Sequence, residues 1–336
     1  MNPELEIYKK NRINENQNIY NNNVSRLYSA LINNIKSIQS AIFISQSVKQ
    51  KNINNLVTQY NANVKTLQSA LTQAIKGIQN FVPKEVAIKN NKKALLIGIN
   101  YTGTQNELYG CINDVNSIKD RIVKQGFINN NIKIITDLTP KKANRVNILE
   151  EFKNLLINSQ AGDLLFFLYS GHGSYTKDKN GDERNGNDEM IVTCDLQCIL
   201  DDELKSLIQT YLKSEVTLFA LFDSCFSGTV LDLKYQYLDS LNYEKYTENS
   251  KDLETNGNVF MISGCTDQQT SADAFINGKA SGAMTWSLLE GLKQKPVCSW
   301  RELIKTMRDL LKKSQYEQIP QLSSGTFVNI DSNVFI

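Results

Sequence analysis

Two residues stand at equivalent positions in this chain, and together they could do nucleophilic chemistry. His172, the only histidine, follows the apolar run Leu164–Tyr169 and is itself followed by Gly173; about 50 residues later a second apolar run, Val216–Phe222, ends in Asp223, Ser224, Cys225, Phe226, Ser227 and Gly228. A thiol becomes a strong nucleophile when a neighbouring base takes its proton, and imidazole suits that task near neutral pH. Each run reads as a buried strand whose carboxyl end breaks into a Gly-containing turn, the edge at which open α/β sheets present reactive groups. The plain alternatives are a structural histidine and a small buried cysteine. Their matched placement favours Cys225 as nucleophile and His172 as base, with backbone N–H groups near Gly173 and Cys225 holding an oxyanion.

The elements that must position this pair follow from periodicity. Strands are expected at 94–99, 132–135, 164–169, 190–192, 216–222 and 259–263. Helices are expected around Val115–Val123, Ile148–Leu156, Leu204–Tyr211, 283–292 and 300–312. Strand and helix alternate, which predicts an α/β domain over residues 91–336 with a mostly parallel sheet covered by helices on both faces. Within it, 91–231 and 259–336 flank a polar stretch, 232–258, that is long for a loop and is expected to be a mobile linker. Residues 1–90 differ in kind. The first 23 residues are Asn-rich, a loop-like or disordered composition. Leu27–Gln39 then aligns with Leu67–Gln79, and two related amphipathic helices predict a helical hairpin ended by Pro83.

Composition narrows the function classes. The 37 basic and 35 acidic residues leave a formal net charge of +2 with no basic block, which argues against a nucleic-acid partner. Apolar runs are strand-sized and the amino terminus has no apolar core, so no membrane partner and a cytoplasmic protein are expected. Six scattered cysteines form no disulfide framework, and Cys194 with Cys198 lacks the second ligand pair of a zinc site.

Several ordered motifs then agree: Tyr169 to Gly173; Asp223 to Gly228; Gly110, Cys111, Asn113 and Asp114; Gly181, Asp182 and Glu183 continuing to Asp188 and Glu189; Ile262 to Cys265; and Gln318 to Ser323. From about Lys92 onward the chain resembles a metacaspase, a caspase-fold cysteine peptidase, with an atypical helical segment before it. The resemblance implies an endopeptidase that cuts protein or peptide substrates after Arg or Lys, through an acidic P1 pocket of Asp114 and Asp223 lined by Cys111 and Ser170. Two carboxylates facing one cleft favour a cation between them. It also implies a monomer and a zymogen.

Acidic residues crowd the segment between the two turns, a density of hard oxygen ligands that suits calcium. In metacaspases calcium activates, and the matching positions are Asp188, Asp201, Asp202 and Asp232; a solvated loop with a helix cap at Asp201 would look similar. An Arg/Lys-directed enzyme could also cut itself in the polar stretch, at Lys234, Lys245 or Lys251. Phe226 departs from the family pattern, which has histidine after the nucleophile. The alternative from another class is a caspase-like adaptor acting through its N-terminal helices.

Overall fold

The computed structural model describes residues 3–83, 86, 88–177, 186–225, 230–239, 242–249, 252–263, 273–276 and 279–336, with backbone alone at 238–239, 242–246, 273–276 and 279. The chain divides into two compact units, Met1–Pro83 and Lys84–Ile336.

The first unit is a helical hairpin of α1 (Pro3–Ser40) and α2 (Gln46–Gln79). The Asn-rich start expected to be loop-like is helical from Pro3, because the apolar stripe does not begin at Leu27. Ile13, Val24 and Ile35 recur every eleven residues, and so do Ile53, Val64 and Ile75 in α2. Stripe contacts outweigh the weak helix propensity of asparagine. These positions are half-buried and no residue of α2 is fully buried, as two helices alone cannot enclose a core.

The second unit is built on an eight-stranded sheet. Its strands are β1 (Lys92–Gly98), β2 (Ile132–Thr136), β3 (Leu164–Ser170), β7 (Thr217–Asp223), β8 (Tyr235–Asp239), β9 (Asn242–Glu248), β10 (Asn258–Ser263) and β13 (Gln321–Ser324), in the order β2-β1-β3-β7-β10-β13-β8-β9. The first five in that order are parallel; the three pairings that follow, β10 with β13, β13 with β8 and β8 with β9, are antiparallel. A ribbon of β4 (Gly173–Lys177), β5 (Asn187–Val192) and β6 (Cys198–Leu200), and a hairpin of β11 (Asp273–Ile276) and β12 (Lys279–Gly282), lie outside it. The polar stretch after Asp232, expected to be a mobile linker, is thus in its described part an edge hairpin. Tyr235 and Tyr237 are buried, and that aromatic anchorage is a period-2 signal the polar composition obscured.

Both faces are covered, which explains why β3 and β7 are buried at every position and read as unbroken apolar runs. On one face α4 (Arg145–Ile157) and α5 (Asp201–Tyr211) pack against the odd-numbered β3 residues, with Phe152 on Phe167 at 4.7 Å. On the other lie α3 (Cys111–Lys124), α6 (Ala283–Gln294) and α7 (Trp300–Lys313). Ser299 starts α7 with a capping box: its Oγ accepts from Glu302 N, and Glu302 accepts from Ser299 N at 2.9 Å. That fixes Trp300, which stacks on Phe219 of β7 (5.7 Å) and Phe260 of β10 (5.2 Å). Trp300→Ala removes a wholly buried indole from this stack and is expected to lower stability by about 3–5 kcal/mol, read from the urea midpoint.

Candidate active site

Parallel pairing of β3 with β7 aligns Ser170 with Asp223, so the two turns carrying His172 and Cys225 leave the sheet side by side. Gly171 N donates to the Asp223 carbonyl at 3.3 Å. The approach is closest at Gly173, where a Cβ would stand 1.9 Å from the carbonyl oxygen of Cys225; only glycine lets the two backbones meet. Cys225 is half-buried and forms no disulfide. Gly173→Ala is expected to push the nucleophile turn off β4 and lower kcat at least about tenfold, checked by single-turnover cleavage of a fluorogenic peptide.

His172 is clamped through its backbone. Its N–H donates to the Tyr101 hydroxyl at 2.9 Å, and its carbonyl accepts from the Tyr169 hydroxyl at 2.7 Å and from Val192 N at 3.0 Å. The Tyr101 ring lies 4.6 Å from the imidazole, and Tyr101 itself holds a left-handed φ of 52°. Burial raises the pKa values of both tyrosines, so the hydroxyls stay protonated donors. His172 Nε2 lies 2.8 Å from the backbone carbonyl of Asn106. A carbonyl only accepts, so Nε2 carries the proton and Nδ1 is left as the basic nitrogen. Asn106 is thus the orienting third group, a backbone atom that leaves no side-chain signature in the sequence; Tyr101 and Tyr169 were likewise not foreseen.

The expected P1 carboxylates meet at the start of α6. Asp114 is 0 % exposed and Asp223 3 %. A Cβ on Gly282 would lie 2.0 Å from Asp223 Oδ2 and 2.9 Å from Asp114 Oδ2, so both carboxylates converge on that glycine. Asp114 accepts from Ser170 Oγ at 2.8 Å, Ser281 Oγ at 2.6 Å and Gly282 N at 3.0 Å. Asp223 accepts from Thr285 N at 2.8 Å and so caps α6 from outside the helix. Burial first, then the charge of Asp223, pushes the pKa of Asp114 up to about 8. Ser281, Gly282 and Thr285 escaped the sequence reading because nothing local ties them to β7. Cys111, the first residue of α3, is buried, with its backbone against Gly98.

The acidic residues group differently from expectation. Glu189, Asp201 and Asp232 each place a carboxylate oxygen within 4.8 Å of the others, all three buried. Asp188 and Asp202 are outside this cluster: Asp188 precedes Glu189 on β5, where successive side chains point to opposite faces, and Asp202 lines a groove with Leu149, Lys153 and Ser206. Burial, then Asp232, pushes the pKa of Asp201 up to about 9. An all-oxygen, mutually repelling trio fits a hard cation such as calcium. Lys205 Nζ lies 3.5 Å from Asp232 and 2.7 Å from Asp252. Lys234, a self-cleavage candidate, is half-buried and donates to the Asp252 carbonyl at 3.1 Å. Lys251 lies outside the described residues, as does the side chain of Lys245, which sits on β9.

A family profile described as "Metacaspase, peptidase C14 domain" matches residues 92–234. Metacaspase-1 of Schizosaccharomyces pombe is 35% identical over 287 residues, covering 70% of this chain and 67% of that protein. Metacaspase-1 of Mycosarcoma maydis is 35% identical over 294 residues, covering 73% of each. A solved structure from Geobacter sulfurreducens matches with a TM-score of 0.54 at 24% identity, over 73% of this chain and 98% of that one, a likeness of fold. No described helix is long and apolar enough to cross a membrane.

Proposed function

The chain belongs to the metacaspase family and is a cysteine peptidase, and from that premise we propose that it cuts peptide bonds after Arg or Lys, under calcium control and with self-processing. The observation that carries the specificity is the convergence of Asp114 and Asp223 on Gly282, beside the turns that bear His172 and Cys225. Two buried carboxylates that converge on one point repel each other, and a guanidinium or ammonium between them offsets that repulsion with charge-assisted hydrogen bonds.

In the proposed reaction His172 Nδ1 takes the thiol proton and Cys225 Sγ attacks the carbonyl carbon after the basic residue. The oxyanion is held by backbone N–H groups near Gly173 and Cys225, and the imidazolium returns its proton to the leaving amine. Water then hydrolyses the acyl-enzyme with the same base. The Asn106 carbonyl holds Nε2–H throughout, so the ring need not reorient between the two proton transfers.

Glu189, Asp201 and Asp232 would hold the calcium ion, which supplies the positive charge that lets all three ionise together. Asp232 lies between β7 and β8, so a cation there links α5 to the chain leaving the nucleophile. Millimolar calcium is expected to raise peptidase activity and yield two fragments split between about residues 232 and 258, both effects absent in Cys225→Ala. Lys234 must first leave its bond to Asp252. Magnesium should substitute poorly, since it prefers a tight octahedral shell. Equal activity in chelator and calcium, with an intact chain by mass spectrometry, counts against this part of the reading. We further propose a monomer in the cytoplasm, where the five described cysteines stay reduced.

A further inference from the structure

The P1 carboxylate Asp114 is already occupied on both oxygens. A carboxylate offers about four acceptor sites. Ser170 Oγ takes Oδ2, Ser281 Oγ takes Oδ1, and Gly282 N lies 3.0 Å from each oxygen. With no exposed surface, Asp114 cannot receive a substrate side chain in this arrangement. The donors differ in what anchors them. Ser170 ends β3 in the centre of the sheet, whereas Ser281 and Gly282 end β12, which among the described residues pairs with β11 alone, outside the main sheet. A second tie holds the same strand down: Asn113 Nδ2 donates to the Ala280 carbonyl at 2.9 Å.

We propose that Ser281 Oγ and Gly282 N are internal occupants of the P1 pocket, standing where two N–H groups of a basic P1 side chain would bind, so that the pocket opens only when residues 280–282 move off α3. This rests on the basic-P1 reading and adds a closed state to it. Two neighbouring donors on one carboxylate reproduce the fork of a guanidinium, but they are neutral, so an entering cation exchanges hydrogen bonds charged on one side only for an ion pair charged on both. The Ser281 hydroxyl has a local alternative, the Gly282 carbonyl at 3.4 Å. Movement of the β11–β12 hairpin breaks no pairing of the eight-stranded sheet. The closed state also gives Asn113 a use that its place between Cys111 and Asp114 did not reveal: it is the tether of the plug.

The test is calorimetric binding of benzamidine to the full chain carrying Cys225→Ala, which prevents self-cleavage. Adding Ser281→Ala removes one competing donor and should tighten binding about tenfold, as should Asn113→Ala, which cuts the tether; Ser281→Thr keeps the hydroxyl and should bind like the parent. Hydrogen exchange at the Gly282 amide should become faster on benzamidine binding, the opposite of a simple lining role. Weaker or unchanged binding in Ser281→Ala and Asn113→Ala, or protection of the Gly282 amide by benzamidine, overturns the plug. No benzamidine binding by any of these proteins overturns it too. The basic-P1 reading fails with it only if the wild-type chain also spares Arg- and Lys-P1 peptides.

Discussion

Replacing Cys225 with alanine is expected to lower kcat/KM by at least about 10³-fold while the chain keeps its fold, and replacing His172 with alanine should do nearly the same. The reason is concerted action: without the imidazole the thiol stays protonated, and without the thiol the base has nothing to activate, so the double variant should be little worse than either single one. Cys111 and Cys298 are buried, so alanine there removes no accessible thiol. Full-length purified variants, compared by active-site titration and by circular dichroism, separate chemistry from folding. A dead Cys111→Ala beside an active Cys225→Ala would remove the assignment.

The second large effect belongs to Asp114. Asp114→Asn leaves Asp223 without its partner carboxylate and the P1 cation half-paired, so cleavage after Arg should fall about 10²- to 10³-fold, mostly through KM. Citrulline at P1, the same shape without charge, should lose a comparable factor in the parent enzyme and little more in the variant. The pH dependence has a definite sign. The folded-state pKa of Asp114, raised to about 8 against 3.8 for a free side chain, means that the protonated share of this group grows as pH falls below 8, and a cation beside it favours the ionised form. Binding a basic P1 group therefore releases a proton, and KM for Arg substrates should rise as pH falls below about 8; Asp114→Asn should flatten that limb. The same shift makes ionising Asp114 work against the fold, so its contribution to stability declines as pH rises from about 4 through 8. Efficient cutting after Asp, or a KM independent of pH in the parent, would contradict the pocket.

The strands that carry the chemistry were legible because burial on both faces leaves a simple trace: unbroken apolar runs ending in glycine turns, as at Leu164–Tyr169 and Val216–Phe222. What stayed hidden was made by pairing across the chain. The Asn106 carbonyl is a backbone atom with no residue type to announce it. Ser281 and Gly282 reach Asp114 across more than 160 residues, a contact set by where α6 packs. The approach of Glu189 to Asp201 and Asp232 was hidden for a different reason: adjacent residues on a strand face opposite ways, and a list of acidic positions does not say which parity faces Asp201. The edge hairpin of β8 and β9 was missed because the stretch is polar in composition and the period-2 signal of Tyr235 and Tyr237 on β8 is only two residues long.

The sheet order has a consequence for a nicked molecule. β10 and β13 follow the 232–258 stretch in sequence, yet in space β10 is hydrogen-bonded to β7 along its whole length, and Asp223 caps α6. A protease that severs the backbone between 240 and 251 therefore separates nothing. The two pieces remain one folded particle, sharing a core in which Trp300 lies on rings from both sides of the cut, Phe219 before it and Phe260 after it. Such a preparation should run as two bands in denaturant and elute where the uncut chain does without it.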